Sequence, residues 1–499
     1  MTEWYIWKSN FSLFIFVANA YINILKNYFF FFFLLIISIV SYGQQPVQDW
    51  MGVLNAGGQK IELRLHLIQN TDKTYTSNWD VPAQKAKGIT SSKTDLSGNQ
   101  LSIEIKMIGA SFIGTLNAAG DKIEGSWGQS GMNFPLNMEP LKEGQTETII
   151  VKPQTPKAPF NYTIKEFVYE GLNTQLKYGA TLTYPNNAEK HPLVILITGS
   201  GMQDRDETIF DHKPFAVIAD YLTKKGFAVL RVDDRGAGKS TGDFTNSTTA
   251  DFALDVEEHI RYAKTLPFID TTKIGLLGHS EGGLIAPMVA ARNKSVAFII
   301  LMAGPGIEIT ELMAVQNEMV LKSAGINQSA IDAYIPLYKQ LMKTIIRIDK
   351  KEEAISKSKG MVKEWFHKTD RSFVKLTTNI STEADIDNFA TTMAETLSTN
   401  WWKYFAAYNP QRALQKVNCP VLAINGSADI QVPADLSLKG IETALKKGGN
   451  KQFTTKQFEG LNHLFQKCTK CTVPEYGELT TTIETKVLDT IGKWLTSLK

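Results

Sequence analysis

Residues 273–282 read Lys-Ile-Gly-Leu-Leu-Gly278-His279-Ser280-Glu281-Gly282, an apolar run that breaks into G-x-S-x-G. The run 273–278 has the character of a strand and 282–292 that of a helix, so the motif falls on a strand–turn–helix, the context its chemistry requires. The physical reason for the glycines is steric. A sharp turn forces Ser280 into a sparsely populated φ/ψ, and larger neighbours would clash. The turn also lifts the hydroxyl clear of the backbone. Ser280 is therefore the candidate nucleophile, and the rest of the chain is read for the partners a serine needs.

Strand-like segments fall at 162–169, 177–184, 193–198, 226–233, 273–278, 296–302, 420–425 and 452–458. Runs such as Leu193-Val-Ile-Leu-Ile197 and Phe298-Ile-Ile-Leu301 are continuously apolar, which suits strands covered on both faces. Helical segments fall between them at 213–225, 248–265, 282–292, 434–447 and 480–498; in the second, Phe252, Val256 and Ile260 recur at i+4. This alternation predicts an α/β fold with a mainly parallel sheet. The pattern stops at 305–415, which is rich in Lys, Glu, Met and Ala with helical periodicity. That stretch is read as a helical cap over the C-terminal edge of the sheet, where ligands bind in such folds. Its charge run Lys350 to Lys363 is read as a solvated helix face.

A serine hydroxyl needs a base to take its proton, and the base needs an orienting carboxylate, in the chain order Ser, acid, His. Only His367 and His463 follow Ser280. His367 lies in the Lys-rich insertion, whereas His463 follows strand 452–458 in Glu459-Gly-Leu-Asn-His463, a loop at the end of a strand. Asp429 likewise follows strand 420–425, in Asn425-Gly-Ser-Ala-Asp429. Its rivals Asp435 and Glu442 fall in or near the next helix, where capping or surface roles suit them better. For the oxyanion of the tetrahedral intermediate, one donor is expected from the backbone N–H of Glu281. A second is expected from the loop Thr198-Gly-Ser-Gly-Met202, through Ser200 or Gly201.

With these residues assembled, residues 160–499 resemble the α/β-hydrolase superfamily. Gly199-Ser-Gly-Met-Gln-Asp-Arg-Asp206 and Asp234-Arg-Gly-Ala-Gly-Lys-Ser240 are similar to segments of its bacterial exported esterases and serine-aminopeptidase-like members. The resemblance implies the eight-stranded sheet, the cap and a triad of Ser280, His463 and Asp429. The sequence departs from one family pattern at Met202, where proline would follow Gly201.

The chain has 499 residues, 26 of them Phe, and five of those are consecutive at Phe29 to Phe33. They belong to a pattern of Lys26-Asn, an apolar stretch Tyr28 to Val40, and Ser41-Tyr-Gly43, which reads as a signal peptide over 1–43. The apolar stretch is short for a membrane span. Residues 1–24 fit no part of a signal peptide, which points to a start at position 25. Residues 44–150 read as a small antiparallel β domain, with alternation at Ile61 to Leu67 and Leu101 to Ile105. Gly52-Val-Leu-Asn-Ala-Gly-Gly-Gln-Lys-Ile-Glu62 echoes Gly114-Thr-Leu-Asn-Ala-Ala-Gly-Asp-Lys-Ile-Glu124, each read as one hairpin. A Pro-rich linker at 151–160, expected to be extended and exposed, leads into the catalytic domain at 161–499.

Fifty-three basic residues against 50 acidic ones make no electrostatic case for nucleic acid. Gly236-Ala-Gly-Lys-Ser-Thr241 fails as a phosphate loop, because Asp233 stands where a glycine is required. Cys468-Thr-Lys-Cys471 lacks the two further ligands zinc would need, and in an exported chain it could form a disulfide near His463. The expectation is an exported (periplasmic or secreted) serine hydrolase acting on a small-molecule ester through an acyl-enzyme. No cofactor, metal, nucleic acid or membrane span after signal cleavage is expected. A peptidase with the same triad and a non-catalytic binding module on a hydrolase fold are the alternatives.

Overall fold

Alternating side chains build the first of two compact units, which ends at Ile149. Its strands are β1 (Pro46–Ala56), β2 (Gln59–Gln69), β3 (Tyr75–Val81), β4 (Ala86–Thr90), β5 (Lys93–Ser97), β6 (Gln100–Ile105), β7 (Ala110–Leu116), β8 (Ile123–Gln129) and β9 (Met132–Pro140). They pair in the order β4-β3-β2-β1-β9-β8-β7-β6-β5. Ser77 on β3 hydrogen-bonds Thr94 on β5 at 2.7 Å, so the two ends of the sheet approach each other. The inward set, including Trp50, Leu65, Trp79, Ile103, Phe112, Trp127 and Leu136, forms the core. Trp79 packs edge-on to both Phe112 and Trp127. The two echoed segments are equivalent hairpins, with Leu54 opposite Ile61 in one and Leu116 opposite Ile123 in the other.

The computed structural model describes residues 46–56, 59–82, 86–105, 110–129, 132–141, 152–473 and 475–498. The segment read as a signal peptide lies outside the described residues. Among the described residues no helix is long and apolar enough to cross a membrane.

The second unit runs from Ile150 to Lys499. Its strands are β10 (Tyr162–Glu170), β11 (Lys177–Pro185), β12 (His191–Ile197), β13 (Ala228–Val232), β14 (Ile269–His279), β15 (Val296–Met302), β16 (Val421–Gly426) and β17 (Phe453–Phe458). They pair in the order β10-β11-β13-β12-β14-β15-β16-β17. The sheet is mixed: five of its seven pairings are parallel, and β11 is antiparallel to both β10 and β13. The cause is local, since only a short turn joins β10 to β11, too short for the crossover a parallel pair needs. The continuous apolar runs are explained by burial on two faces. On β12, Leu193, Ile195 and Ile197 face α2 (Thr249–Ala263), α3 (Glu281–Arg292) and α11 (Ala434–Lys447). Val194 and Leu196 face α1 (Pro214–Lys224) and α13 (Thr485–Ser497).

Between β15 and β16 come α4 (Ile309–Ser323), α5 (Gln328–Ile345), α6 (Lys351–Lys368), α7 (Arg371–Thr378), α8 (Glu383–Leu397), α9 (Asn400–Ala407) and α10 (Gln411–Leu414). They enclose a separate apolar core with Leu341, Val362, Ile386 and Trp402. The lysines of α6 lie on its outer face, where Lys359 and Lys363 pair with Asp387 and Glu383 of α8. The start of the Pro-rich segment is not free, as its composition suggested. Lys152 Nζ donates to the carbonyl of Gly477 (2.8 Å) and Gln154 Nε2 to that of Ile483 (2.7 Å). The short helix α12 (Glu475–Glu478) precedes α13.

Candidate active site

Ser280 caps the N-terminus of α3 with φ 54° and ψ −116°. Its amide donates to Met302 O on β15 (2.8 Å), and its carbonyl accepts from Gly283 N–H (2.9 Å), which fixes the turn. Both glycines of the motif are sterically required. A Cβ at Gly278 would stand 2.0 Å from Gly282 O, and one at Gly282 would stand 2.2 Å from Ile197 O.

Asp429 sits between β16 and α11, and His463 in the loop after β17. His463 Nδ1 lies 2.7 Å from Asp429 Oδ2, and both side chains are buried. The carboxylate is oriented from its other side, where Oδ1 accepts from the amides of Gln431 (2.8 Å) and Val432 (2.9 Å). The loop of His463 is braced by Asn462, whose Oδ1 accepts from the amides of Leu464 (3.0 Å) and Gln466 (2.9 Å). The two loops pack backbone to backbone, since a Cβ at Gly426 would lie 2.1 Å from Leu461 O. His367 stands apart in α6, half-exposed, with Glu383 3.4 Å away.

Glu281 is the first residue of α3, so its amide has no acceptor within the helix. In the loop after β12, the Gly199 amide already donates to Glu207 Oε1 (2.7 Å). Ser200 and Gly201, the latter at φ 95°, are the loop residues whose amides were expected to face the substrate.

Several groups around the site were not found by sequence reasoning. The Glu281 carboxylate is buried, and its Oε1 accepts from Thr249 Oγ1 (2.6 Å) and from Trp401 Nε1 of α9 (2.9 Å). Burial raises its pKa, and bonds from Thr249, Trp401 and Ser200 oppose that rise. Asp234 accepts from Thr198 Oγ1 (2.6 Å) and from the Gln203 amide (2.8 Å), and burial holds its carboxyl well above the usual range. Glu207 and His279 form a buried pair at 3.0 Å. His279 and Glu281 occupy the variable positions of G-x-S-x-G and Asp234 opens the segment 234–240, but neither motif specifies these side-chain contacts, which become visible when the loops meet. The rejected phosphate-loop segment is a structural turn in which Asp233 takes the Arg205 guanidinium and Ser240 Oγ donates to Asp233 O (2.7 Å).

Cys468 and Cys471 form a disulfide. The Glu475 carboxylate accepts from the amides of Thr469 and Lys470 (both 2.9 Å) and Cys471 (2.6 Å). With both sulfurs in a covalent bond to each other, the cluster offers no thiolate pair for a metal.

The family model described as serine aminopeptidase, S33, matches residues 212–467, and the chain belongs to this family of α/β hydrolases. It is 30% identical over 168 residues to Esterase EstD of Thermotoga maritima, a match covering 34% of this chain and 38% of EstD. The chain thus spans well under half of that relative. An uncharacterized 31.7 kDa protein of Escherichia coli is 26% identical over 266 residues, 52% of this chain and 81% of that one. Among solved structures, the Pyrococcus furiosus esterase Pf2001 aligns with 16% identity and a TM-score of 0.40, over 68% of this chain and 96% of its own. Est1E of Butyrivibrio proteoclasticus with ferulic acid aligns with 18% identity and a TM-score of 0.37, over 66% and 98%.

Proposed function

We propose that the protein is an exported serine hydrolase that cleaves carboxylic esters of small molecules. The observation that carries this reading is the 2.7 Å contact between His463 and Asp429 in the unit whose α3 begins at the strained Ser280. With the proton on Nδ1 directed at Asp429, Nε2 of His463 bears the lone pair a general base needs. His463 would take the proton of Ser280 Oγ as Oγ attacks the ester carbonyl. The amides of Glu281 and of Ser200 or Gly201 would hold the tetrahedral oxyanion. His463 then protonates the departing alcohol, leaving Ser280 acylated. Water, activated by the same imidazole, releases the acid. None of these steps calls on a cofactor. The signal-peptide pattern ending at Gly43 supports export.

A second reading, a peptidase for short peptides, is favoured by the description of the matching family. It uses the same groups with an amine as the leaving group. The two separate when p-nitrophenyl esters of several acyl lengths are compared with aminoacyl and peptidyl anilides. Ester turnover lost in Ser280→Ala is expected, together with labelling of Ser280 by a fluorophosphonate. Anilide cleavage far above ester cleavage would favour the peptidase. Failure of the probe to react would favour a binding module. Asp429→Asn should lower kcat by about 10⁴, because it strands His463 in the wrong tautomer.

A further inference from the structure

We propose that Glu207 and His279 act as a positioning dyad, locking the oxyanion loop, the nucleophile turn and the loop of the catalytic base into one register. The proposal rests on the triad reading above, and neither residue is placed on the reacting atoms.

The dyad joins three segments that are distant in sequence. Glu207 Oε1 accepts from the amide of Gly199 (2.7 Å) and lies 3.0 Å from His279 Nδ1. His279 is the last residue of β14, next to Ser280, and its Nε2 lies 3.1 Å from the carbonyl oxygen of His463. Glu207, His279 and His463 are 5%, 6% and 4% exposed, so water does not substitute for these bonds. Glu207 is held at φ 51°, a conformation that a non-glycine residue adopts at a cost.

The protons can be counted. A carbonyl oxygen cannot donate, so Nε2 of His279 carries a proton. The second proton lies between Nδ1 and the Glu207 carboxylate, which makes the pair an imidazolium facing a carboxylate. Burial opposes that charge, yet Glu207 keeps the imidazole more basic than usual. The charged and titratable groups facing the pair are Asp429 and His463 beside His279, and Asp234 beside Glu207. The rings of His279 and His463 are 4.8 Å apart between centroids.

The test uses the full chain with an activated ester as substrate. His279→Leu removes both bonds and should lower kcat about 100-fold with KM within roughly threefold, the signature of misplaced rather than missing catalytic groups. H279Q keeps a donor for the His463 carbonyl and should recover about tenfold of that loss. E207Q keeps an acceptor for Gly199 but replaces the carboxylate that holds the His279 ring, so it should lower kcat about tenfold with KM within roughly threefold. Each variant is checked for wild-type melting, and if His279→Leu does not fold, H279Q and E207Q decide. Folded variants with wild-type kcat would overturn the dyad. So would a loss without rescue by H279Q, or one carried mainly by KM, which is what a purely structural role gives. Activity persisting in Ser280→Ala would instead sink the triad reading itself, a result distinguishable from either.

Discussion

Glu281 Oε1 accepts a hydrogen bond from Trp401 Nε1 at 2.9 Å, so the residue beside Ser280 is tied directly to helix α9 of the insertion. The same carboxylate takes the hydroxyl of Thr249 at the start of α2. Trp401 is stacked on Phe405, their ring centroids 4.6 Å apart, which limits where its indole can turn. The backbone of Glu281 is a candidate oxyanion donor while its side chain bonds to the cap. Helix α9 is therefore joined by a hydrogen bond to the turn that carries Ser280.

Removing the tie should affect substrate binding and stability together. Trp401→Phe keeps most of the ring packing but withdraws a donor from a buried carboxylate, at a cost of about 1–3 kcal/mol. KM for bulky esters is expected to rise several-fold while small acetyl esters change little. Steady-state kinetics across an acyl series and a thermal melt check this. An unchanged melting temperature with unchanged KM values would show that the bond couples nothing.

The glycines of the turn give a sharper stability forecast. Gly282→Ala drives a methyl into the carbonyl of Ile197, where no flexible side chain can yield. A loss of about 3 kcal/mol or more is expected, together with poor soluble expression. Gly360, in the middle of α6, is the control because a Cβ there meets nothing within 4 Å. Gly360→Ala should stabilise the chain by about 0.5–1 kcal/mol. Urea titration of both variants separates steric exclusion from general glycine preference.

These glycines also show how far the sequence could be read. Residues 278–282 announce a strand–turn–helix because steric exclusion is local, and the apolar runs of β12 and β15 announce two-sided burial. The contact between Asp429 and His463 could be anticipated, since each follows a strand by a few residues and the two strands are neighbours in the sheet. The antiparallel placement of β11 was less legible, because a continuously buried strand looks alike in either direction. Glu207, His279 and Trp401 were not legible as a group. Their roles arise from contacts between segments 72 and 120 residues apart, which no periodicity records. The docking of Lys152 and Gln154 was hidden for the same reason, in a segment whose prolines suggested exposure.

The disulfide should matter less than the carboxylate beneath it. Cys468 and Cys471 are separated by three positions, so closing so short a loop contributes about 2 kcal/mol at most by chain entropy. Glu475 holds three amides of the same loop without help from sulfur. Reduction with dithiothreitol should therefore lower the melting temperature by only a few degrees, and ester turnover should stay within about threefold. Glu475→Ala orphans three donors and should cost more than reduction does. If reduction proved the more damaging, the loop near His463 would be held by the covalent bond instead.

Acid stability is set in part by imidazoles that are buried uncharged. His259 Nδ1 lies 2.7 Å from the Tyr169 hydroxyl, and burial pushes its pKa down to about 3. His212, between Thr482 and Tyr476, is pushed down to about 4, chiefly by burial. For such groups the unfolded chain binds the proton first, at about pH 6.5. Between that pH and the depressed folded value the unfolded state holds more protons, so stability rises with pH in that window and falls as acid is added. Each group contributes a slope of up to about 1.4 kcal/mol per pH unit. His259→Gln should lower stability at pH 7, because the Tyr169 contact is disturbed. The same variant should unfold less steeply with acid, having lost one of the two titrating imidazoles. Urea midpoints measured from pH 7 to pH 4 distinguish these effects. Parallel wild-type and variant curves would mean that His259 takes its proton in the folded protein as readily as in the unfolded chain, contrary to its burial.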